Sequence, residues 1–339
     1  MAVAAQSARP VAGTDYPANF NELLEWFQTD SDCWAYLVRL RWPDGFRCPS
    51  WGGSEAWLTK RDLFVCAECK RQTSVTVGTV FESSRVPLLQ WFRAAWLITS
   101  QKRGVSASTI QAELGLGSYK TAWMLQHKLR KAIVRPGRER LSGEIEVDET
   151  FIGGPRPGKR GRGAANKQIV AIAVEKPTGH IQYGFGRTRM RVIPDARRQT
   201  LEDFITDVCE PGSVIYTDGH SAYARLDEIG YTHVISHYSS DEQPAHVSMP
   251  AVHRVASLLK RWLLGTHQGG VATQHLDTYL DEFTFRFNRR RSRSRGLLFY
   301  RLLQLAVSTR HTDYETIVWS RRGQATKLRG RERRVRLPR

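Results

Sequence analysis

EVDETFIGG at residues 146–154 and VIYTDGHSAY at 214–223 each run from apolar, β-branched residues into an aspartate and then into glycine-bearing chain. That pattern reads as a strand breaking into a turn. It puts Asp148 and Asp218 at or near strands. A sheet that brought the two carboxylates together would make the hard oxygen site that divalent cations such as Mg²⁺ prefer. Paired carboxylates stand out against a formal net charge of +18 over 339 residues. On so basic a chain they point to metal chemistry on a polyanion. Each aspartate taken alone also has a plainer reading, as the cap of its own turn.

The excess of positive charge is rich in arginine, and the sequence pI is about 10.1. The planar guanidinium fork donates in pairs and suits phosphate. The expected partner is therefore a regular phosphate backbone, that of double-stranded DNA. No apolar run is long enough to span a bilayer, and no membrane partner is expected. The start, MAVAAQSARPVAG, lacks the charged and then apolar order of a secretory signal. Five irregularly spaced cysteines do not make a disulfide framework, so a reducing cytoplasm is expected.

Outward from the two aspartates, strand patterns recur at 168–174, 180–186, 213–217 and 231–236. Helical patterns follow at 195–208, 252–264 and 274–288. Together they predict a mixed α/β domain over 142–310. Upstream, 86–135 reads as a buried helix from Pro87, a short helix from Ser106 to Leu114, a glycine turn, and a longer basic helix capped by Ser118. That is a helix-turn-helix outline, and Lys120, Gln126, His127 and Lys128 are the residues expected to face DNA. Residues 18–85 read as a helical lead-in followed by a small β module. Residues 1–17 are expected to be a disordered leader and 311–339 a basic tail, and Arg135-Pro136-Gly137 is a natural linker.

Cys66-Ala67-Glu68-Cys69 in the β module is a CxxC knuckle. Cys48-Pro49-Ser50-Trp51 has the shape of its mate, with Trp51 where the second cysteine belongs. A structural zinc wants four thiolate or imidazole ligands. Only Cys48, Cys66 and Cys69 are in register, so the ribbon reads as one that has lost zinc or holds it with water in the fourth place.

The ordered motifs RWPDGFRCP (41–49), VTVGTVFESSRVPLLQWF (75–92), GVSASTIQAELG (104–115), VDETFIGG, TDGHSAY, LKRWLLGTHQG (259–269) and HLDTYLDEFTFRFNRR (275–290) resemble the ISXO2-like transposases of the IS1595 group. The resemblance covers roughly residues 20–305. It implies an RNase H-like catalytic domain, preceded by a zinc-ribbon-like module and the helix-turn-helix. It also implies a DDE-type transposase using two Mg²⁺ or Mn²⁺ ions, with Asp148 and Asp218 in the places of the first two catalytic aspartates. In such sites cations about 4 Å apart serve the attacking and leaving oxygens. The third acidic position falls on a late helix, seven residues before a basic one. Lys260 fits the basic place, and His253 stands at the acidic one, thirty-five residues after Asp218. Imidazole can bind a metal, though as a softer, neutral ligand. Asp241, Glu242 or water are the alternatives.

Lys260 lies close to two helical turns from His253 and is expected to reach phosphates beside the cleaved bond. Glu149 alternates to the other face of the strand and reads as structural. His267 divides between a DNA contact and loop structure. Arg286, Asn288 and Arg289 divide between DNA contacts and packing on the sheet edge. The expected activity is that of an insertion-sequence transposase in the bacterial cytoplasm, associated with the nucleoid. It would bind terminal inverted repeats, cut, and join the 3′-hydroxyl to target DNA, as a dimer or larger assembly. Two rivals stay open: a catalytically dead remnant or DNA-binding regulator, and a nuclease of the same fold that never joins ends.

Overall fold

The computed structural model describes residues 9–134, 137–153, 167–177, 184–236, 248–268, 271–292 and 294–319. Asp241, Glu242, residues 180–183 of the expected strand, the Arg135-Pro136 part of the linker and the tail beyond 319 lie outside the described residues. The chain divides into two compact units, one formed by residues up to 135 and from 292 onward, the other by 136–291.

The first unit holds helices α1 (Phe20–Trp26), α2 (Asp30–Arg41), α3 (Leu88–Ser100), α4 (Ala107–Leu114) and α5 (Tyr119–Ala132), and a sheet of β1 (Ala56–Leu58), β2 (Leu63–Cys66) and β3 (Gln72–Ser74). Thr29 and Asp32 form a reciprocal capping box on α2. Ser106 and Ser118 cap α4 and α5, each accepting a backbone N–H at 3.1 Å. Between them Gly115 takes φ +60°, a left-handed turn that suits glycine.

Two further helices belong to this unit, α9 (Arg295–Ser308) and α10 (Tyr314–Trp319). The expected boundary at 310 therefore moves to 291. The cause is apolar matching: Leu298, Phe299, Leu302 and Leu303 are buried, and Phe299 packs edge-on to Phe92 at 5.8 Å and against Phe27 at 6.1 Å. Residues near 17 also join the fold. Tyr16 is buried beside Tyr300, and a Cβ on Gly296 would stand 1.7 Å from the Pro17 carbonyl oxygen. The leader expected to be disordered is thus anchored at its end, by a close approach that only glycine permits.

The second unit is a mixed five-stranded sheet of β4 (Glu144–Ile152), β5 (Gln168–Glu175), β6 (Thr188–Ile193), β7 (Val214–Thr217) and β8 (Thr232–Ile235), in the order β6-β5-β4-β7-β8. The β6-β5-β4 half is antiparallel, and β4, β7 and β8 are parallel. Alternation sorts the side chains. Ile145, Val147, Ala171 and Ala173 face a core with α6 (Arg198–Val208). Val170, Ile172 and Val174 face a core with α7 (Pro250–His267) and α8 (Leu276–Asn288).

Among the described residues the third strand is β6 at 188–193, and residues 184–186 of the expected 180–186 are not strand. Arg189 and Arg191 disguise it. Arg189 is buried and donates to the Glu139 carbonyl at 2.5 Å, while Arg191 pairs with Asp207 at 2.8 Å. This edge strand is covered by α8. Asp277 accepts the Val192 N–H at 3.1 Å, and Asn288 both accepts the Thr188 N–H at 2.8 Å and donates to its carbonyl at 3.0 Å. Two side chains thereby do the work of a further strand and close the edge to pairing.

Asp281 on α8 sits 3.8 Å from Arg138, yet burial raises its carboxyl pKa from 3.8 to about 6. A raised folded-state value means the folded protein binds the proton more tightly. The contribution of Asp281 to stability is therefore full below about pH 4 and is lost as pH rises through 6, on the order of 3 kcal/mol in all. Asp281→Asn should flatten this slope. Urea unfolding should show the variant more stable at pH 7.5 by on the order of 2 kcal/mol, with no difference near pH 4.

Candidate active site and metal centre

The structure builds one candidate site on β4, the central strand, and α7. Glu146, Asp148 and Thr150 share the β4 face opposite the α6 core, because Ile145 and Val147 take the other. Asp148 accepts the Glu149 N–H at 2.8 Å through Oδ1, and its Oδ2 lies 3.8 Å from Nδ1 of His253. An open pocket of about 350 Å³ is lined by Asp148, Thr150, His253, Ser257 and Lys260 among others. His253, Ala256, Ser257 and Lys260 line it at helical spacing, as one stripe of α7. Desolvation lowers the Lys260 ammonium, and the charge of Asp148 opposes that.

Asp218 is not among the residues lining this pocket. It follows directly on β7, which pairs parallel to β4 with Glu144 opposite Val214 and Glu146 opposite Tyr216. Continued by two residues, that register sets Asp218 level with Asp148 on the same face. Asp218 Oδ1 accepts the His220 N–H at 2.9 Å, so it also caps its turn. Gly219, at φ +80°, lets the chain leave at once, and a Cβ there would meet Ile235 at 2.7 Å. Burial pushes the Tyr223 phenol far up. The Glu149, Asp148 and Asp218 carboxylates push it further, which ties all three to one corner of the sheet.

Sequence reasoning missed Glu146. It is almost fully buried, and its Oε2 accepts the Val252 N–H at 2.8 Å. Val252 stands in the first turn of α7, whose N-cap residue, Met249, has no side-chain oxygen to offer. A carboxylate from β4 thus caps the helix that carries His253. Burial raises the Glu146 pKa, and its bonds to the Val252 and Ala251 N–H groups oppose the rise. The signal in the sequence is the two-residue step from Glu146 to Asp148, which puts both on one strand face.

Among the described residues, one group of His, Cys, Asp or Glu side chains converges tightly enough for a single ion: Cys48, Cys66 and Cys69, with sulfurs within 4.8 Å of one another. Cys48 and Cys69 approach to 3.5 Å, and the Trp51 indole N–H donates to the Cys66 sulfur at 3.3 Å.

Several residues expected to face DNA are buried or engaged within the chain. Gln126 is 1% exposed and donates to the Val105 carbonyl at 2.6 Å, and His127 and Lys128 are also buried. The polar side of α5 is turned inward by tertiary packing, where Gln126 and Lys128 bond to backbone carbonyls and His127 meets the Arg130 guanidinium. Arg286 is committed to the fully buried Glu282 at 3.4 Å. Arg289 lies over the Phe285 ring at 4.2 Å and donates to the Phe285 carbonyl. His267 packs edge-on to Trp262 at 5.0 Å and Tyr279 at 4.7 Å. Lys120 is exposed near the start of α5, over the Tyr314 ring at 3.8 Å. Gln126→Ala should therefore lower stability by about 1–3 kcal/mol, by orphaning a buried carbonyl. It should leave the salt dependence of DNA binding unchanged in a filter-binding series, whereas Lys120→Ala should reduce that slope by about one.

Comparison with known proteins gives the class. Residues 140–288 match the ISXO2-like transposase domain, a DDE transposase domain, and residues 28–72 match the transposase zinc-ribbon domain. Both models describe domains of IS1595-group transposases. It is 28% identical over 268 residues to a protein of transposable element ISH50 from Halobacterium salinarum, covering 74% of this chain and 88% of that one. It is 26% identical over 113 residues to a transposase-like protein of Haemophilus influenzae, covering 33% of this chain and 90% of that one. No solved structure matches. No described helix is long and apolar enough to cross a membrane.

Proposed function

We propose that this chain is the transposase of an insertion sequence, binding terminal inverted repeats and catalysing metal-dependent cleavage and 3′-hydroxyl strand transfer. What supports the reading is the parallel pairing of β4 with β7, whose register carried two residues on would bring Asp218 level with Asp148, together with the 3.8 Å approach of His253 to Asp148. Two carboxylates and an imidazole are a donor set that suits Mg²⁺ or Mn²⁺. A divalent cation at such a site polarises phosphoryl oxygens and makes water or a hydroxyl nucleophilic at neutral pH. Asp148 and Asp218 would hold the cations and His253 would complete the set. Lys260, on the same stripe of α7, would position a phosphate. An RNase H-like fold for this unit is supported by an antiparallel run of three strands continued by two parallel ones on the other side of β4, with the carboxylates on the central pair.

For recognition, the α4–turn–α5 pair reads as a helix-turn-helix whose exposed residues at the start of α5, Tyr119 and Lys120, enter the major groove. The N-terminal end of a recognition helix is the part that reaches base edges. Joining two element ends calls for two copies of the chain in the working complex. The place of action is the bacterial nucleoid.

The test is a labelled duplex carrying the element's terminal repeat, incubated with the protein and Mn²⁺. A joined product longer than the substrate is expected. Cutting without joining would make the protein a nuclease, and specific binding with neither at any metal concentration would make it a regulator or remnant.

A further inference from the structure

The two knuckles of the ribbon are geometric repeats. In the first, the Gly52 N–H donates to the Cys48 carbonyl at 2.8 Å; in the second, the Lys70 N–H donates to the Cys66 carbonyl at 3.1 Å. Each is followed by a left-handed residue at the same step, Gly52 at φ +88° and Lys70 at φ +56°. A left-handed lysine is unusual, and its match to Gly52 fixes the correspondence between the turns. Position 51 is therefore the structural counterpart of Cys69, the fourth ligand place of the ribbon. Trp51 occupies it. The ring lies over Gly53, where an added Cβ would stand 2.1 Å from two ring carbons, and its N–H points at the Cys66 sulfur.

An indole N–H is a donor with no lone pair to give a metal. The site therefore cannot become the closed four-ligand cage of structural zinc. The three remaining sulfurs are already gathered, and thiolates select soft cations. We propose that the ribbon is a three-thiolate metal site with Trp51 in the fourth-ligand place, taking a soft cation content with three sulfurs, such as Cu(I), in preference to Zn²⁺. The donors are Cys48, Cys66 and Cys69. Cys33 and Cys209 are buried elsewhere and are not among the clustered ligands.

The test uses the full chain, stripped of metal and kept reduced and oxygen-free. Cu(I) is titrated against the chromophoric chelator bicinchoninate, and Zn²⁺ against pyridylazoresorcinol. The wild-type protein should keep one equivalent of Cu(I) and yield Zn²⁺ to the dye. Cys69→Ser should lose the Cu(I). Trp51→Cys should tighten Zn²⁺ binding by about a hundredfold or more, since even partners beyond the direct ligands change affinity 10–100-fold. Trp51→His supplies an imidazole at the same place and keeps the test decisive should the cysteine variant misfold. The proposal is overturned if the wild type holds Zn²⁺ as tightly as both variants, if it keeps no Cu(I), or if Cys69→Ser keeps the Cu(I) equivalent.

Discussion

Asp148→Ala should abolish strand transfer, by about a thousandfold or more, while leaving the protein as stable as before or slightly more so. Changing a partner beyond the direct ligands typically costs 10–100-fold, and losing a direct metal ligand costs more. Stability should hold because Asp148 gives up one bond, to the neighbouring Glu149 N–H, and a 3.8 Å approach to His253, against relief from the Glu149 and Asp218 carboxylates at the Tyr223 corner. Removing a carboxylate from such a cluster trades function for stability. Gel assay of the joined product and a thermal melt without metal check both halves. Asp148→Ala retaining activity within tenfold of the wild type would refute the site.

Glu146→Ala should be the second large effect. It removes the carboxylate that accepts the Val252 N–H and leaves a buried helix start without its cap. The loss should be about 2–3 kcal/mol, the worth of a charged hydrogen bond and a cap. His253 is the next residue along α7, so freeing this end loosens its 3.8 Å approach to Asp148. Activity should fall about 10–100-fold, chiefly as a higher Mn²⁺ requirement. Glu146→Gln keeps an oxygen acceptor and should recover most of both losses. Equal damage from Gln and Ala would show that charge, not the cap, is what matters.

Much of the second unit is legible in the sequence. The β-branched runs leading into Asp148 and Asp218 mark β4 and β7, because alternate residues, Ile145 and Val147 on one and Ile215 on the other, face the core with α6. What the sequence does not carry is partner choice. Nothing local in RLLQL reveals that Leu302 and Leu303 pack in the first unit, since apolar helices at 250–267 and 295–308 look alike until their partners are known. β6 escapes notice because Arg189 is buried by bonds to distant backbone that no periodicity announces. The inward side of α5 misleads for the same reason: Gln126 reads as a surface residue until Val105 is brought to it. Glu146 becomes meaningful only once the first turn of α7 lies above it. Trp51 is the opposite case, conspicuous in sequence, with its consequence appearing only when three sulfurs are gathered and its indole N–H meets one of them.

The return of α9 to the first unit has a bearing on synthesis. Domains usually fold in the order in which they leave the ribosome. Here Phe27 and Phe92 wait for Phe299, so the unit that opens the chain cannot seal its interior until almost the last helix is translated. A nonsense mutation or frameshift anywhere before residue 295 would leave those aromatic rings uncovered. Truncated copies of the gene should then yield aggregating or degraded fragments, not repressors that compete with the intact protein for its DNA.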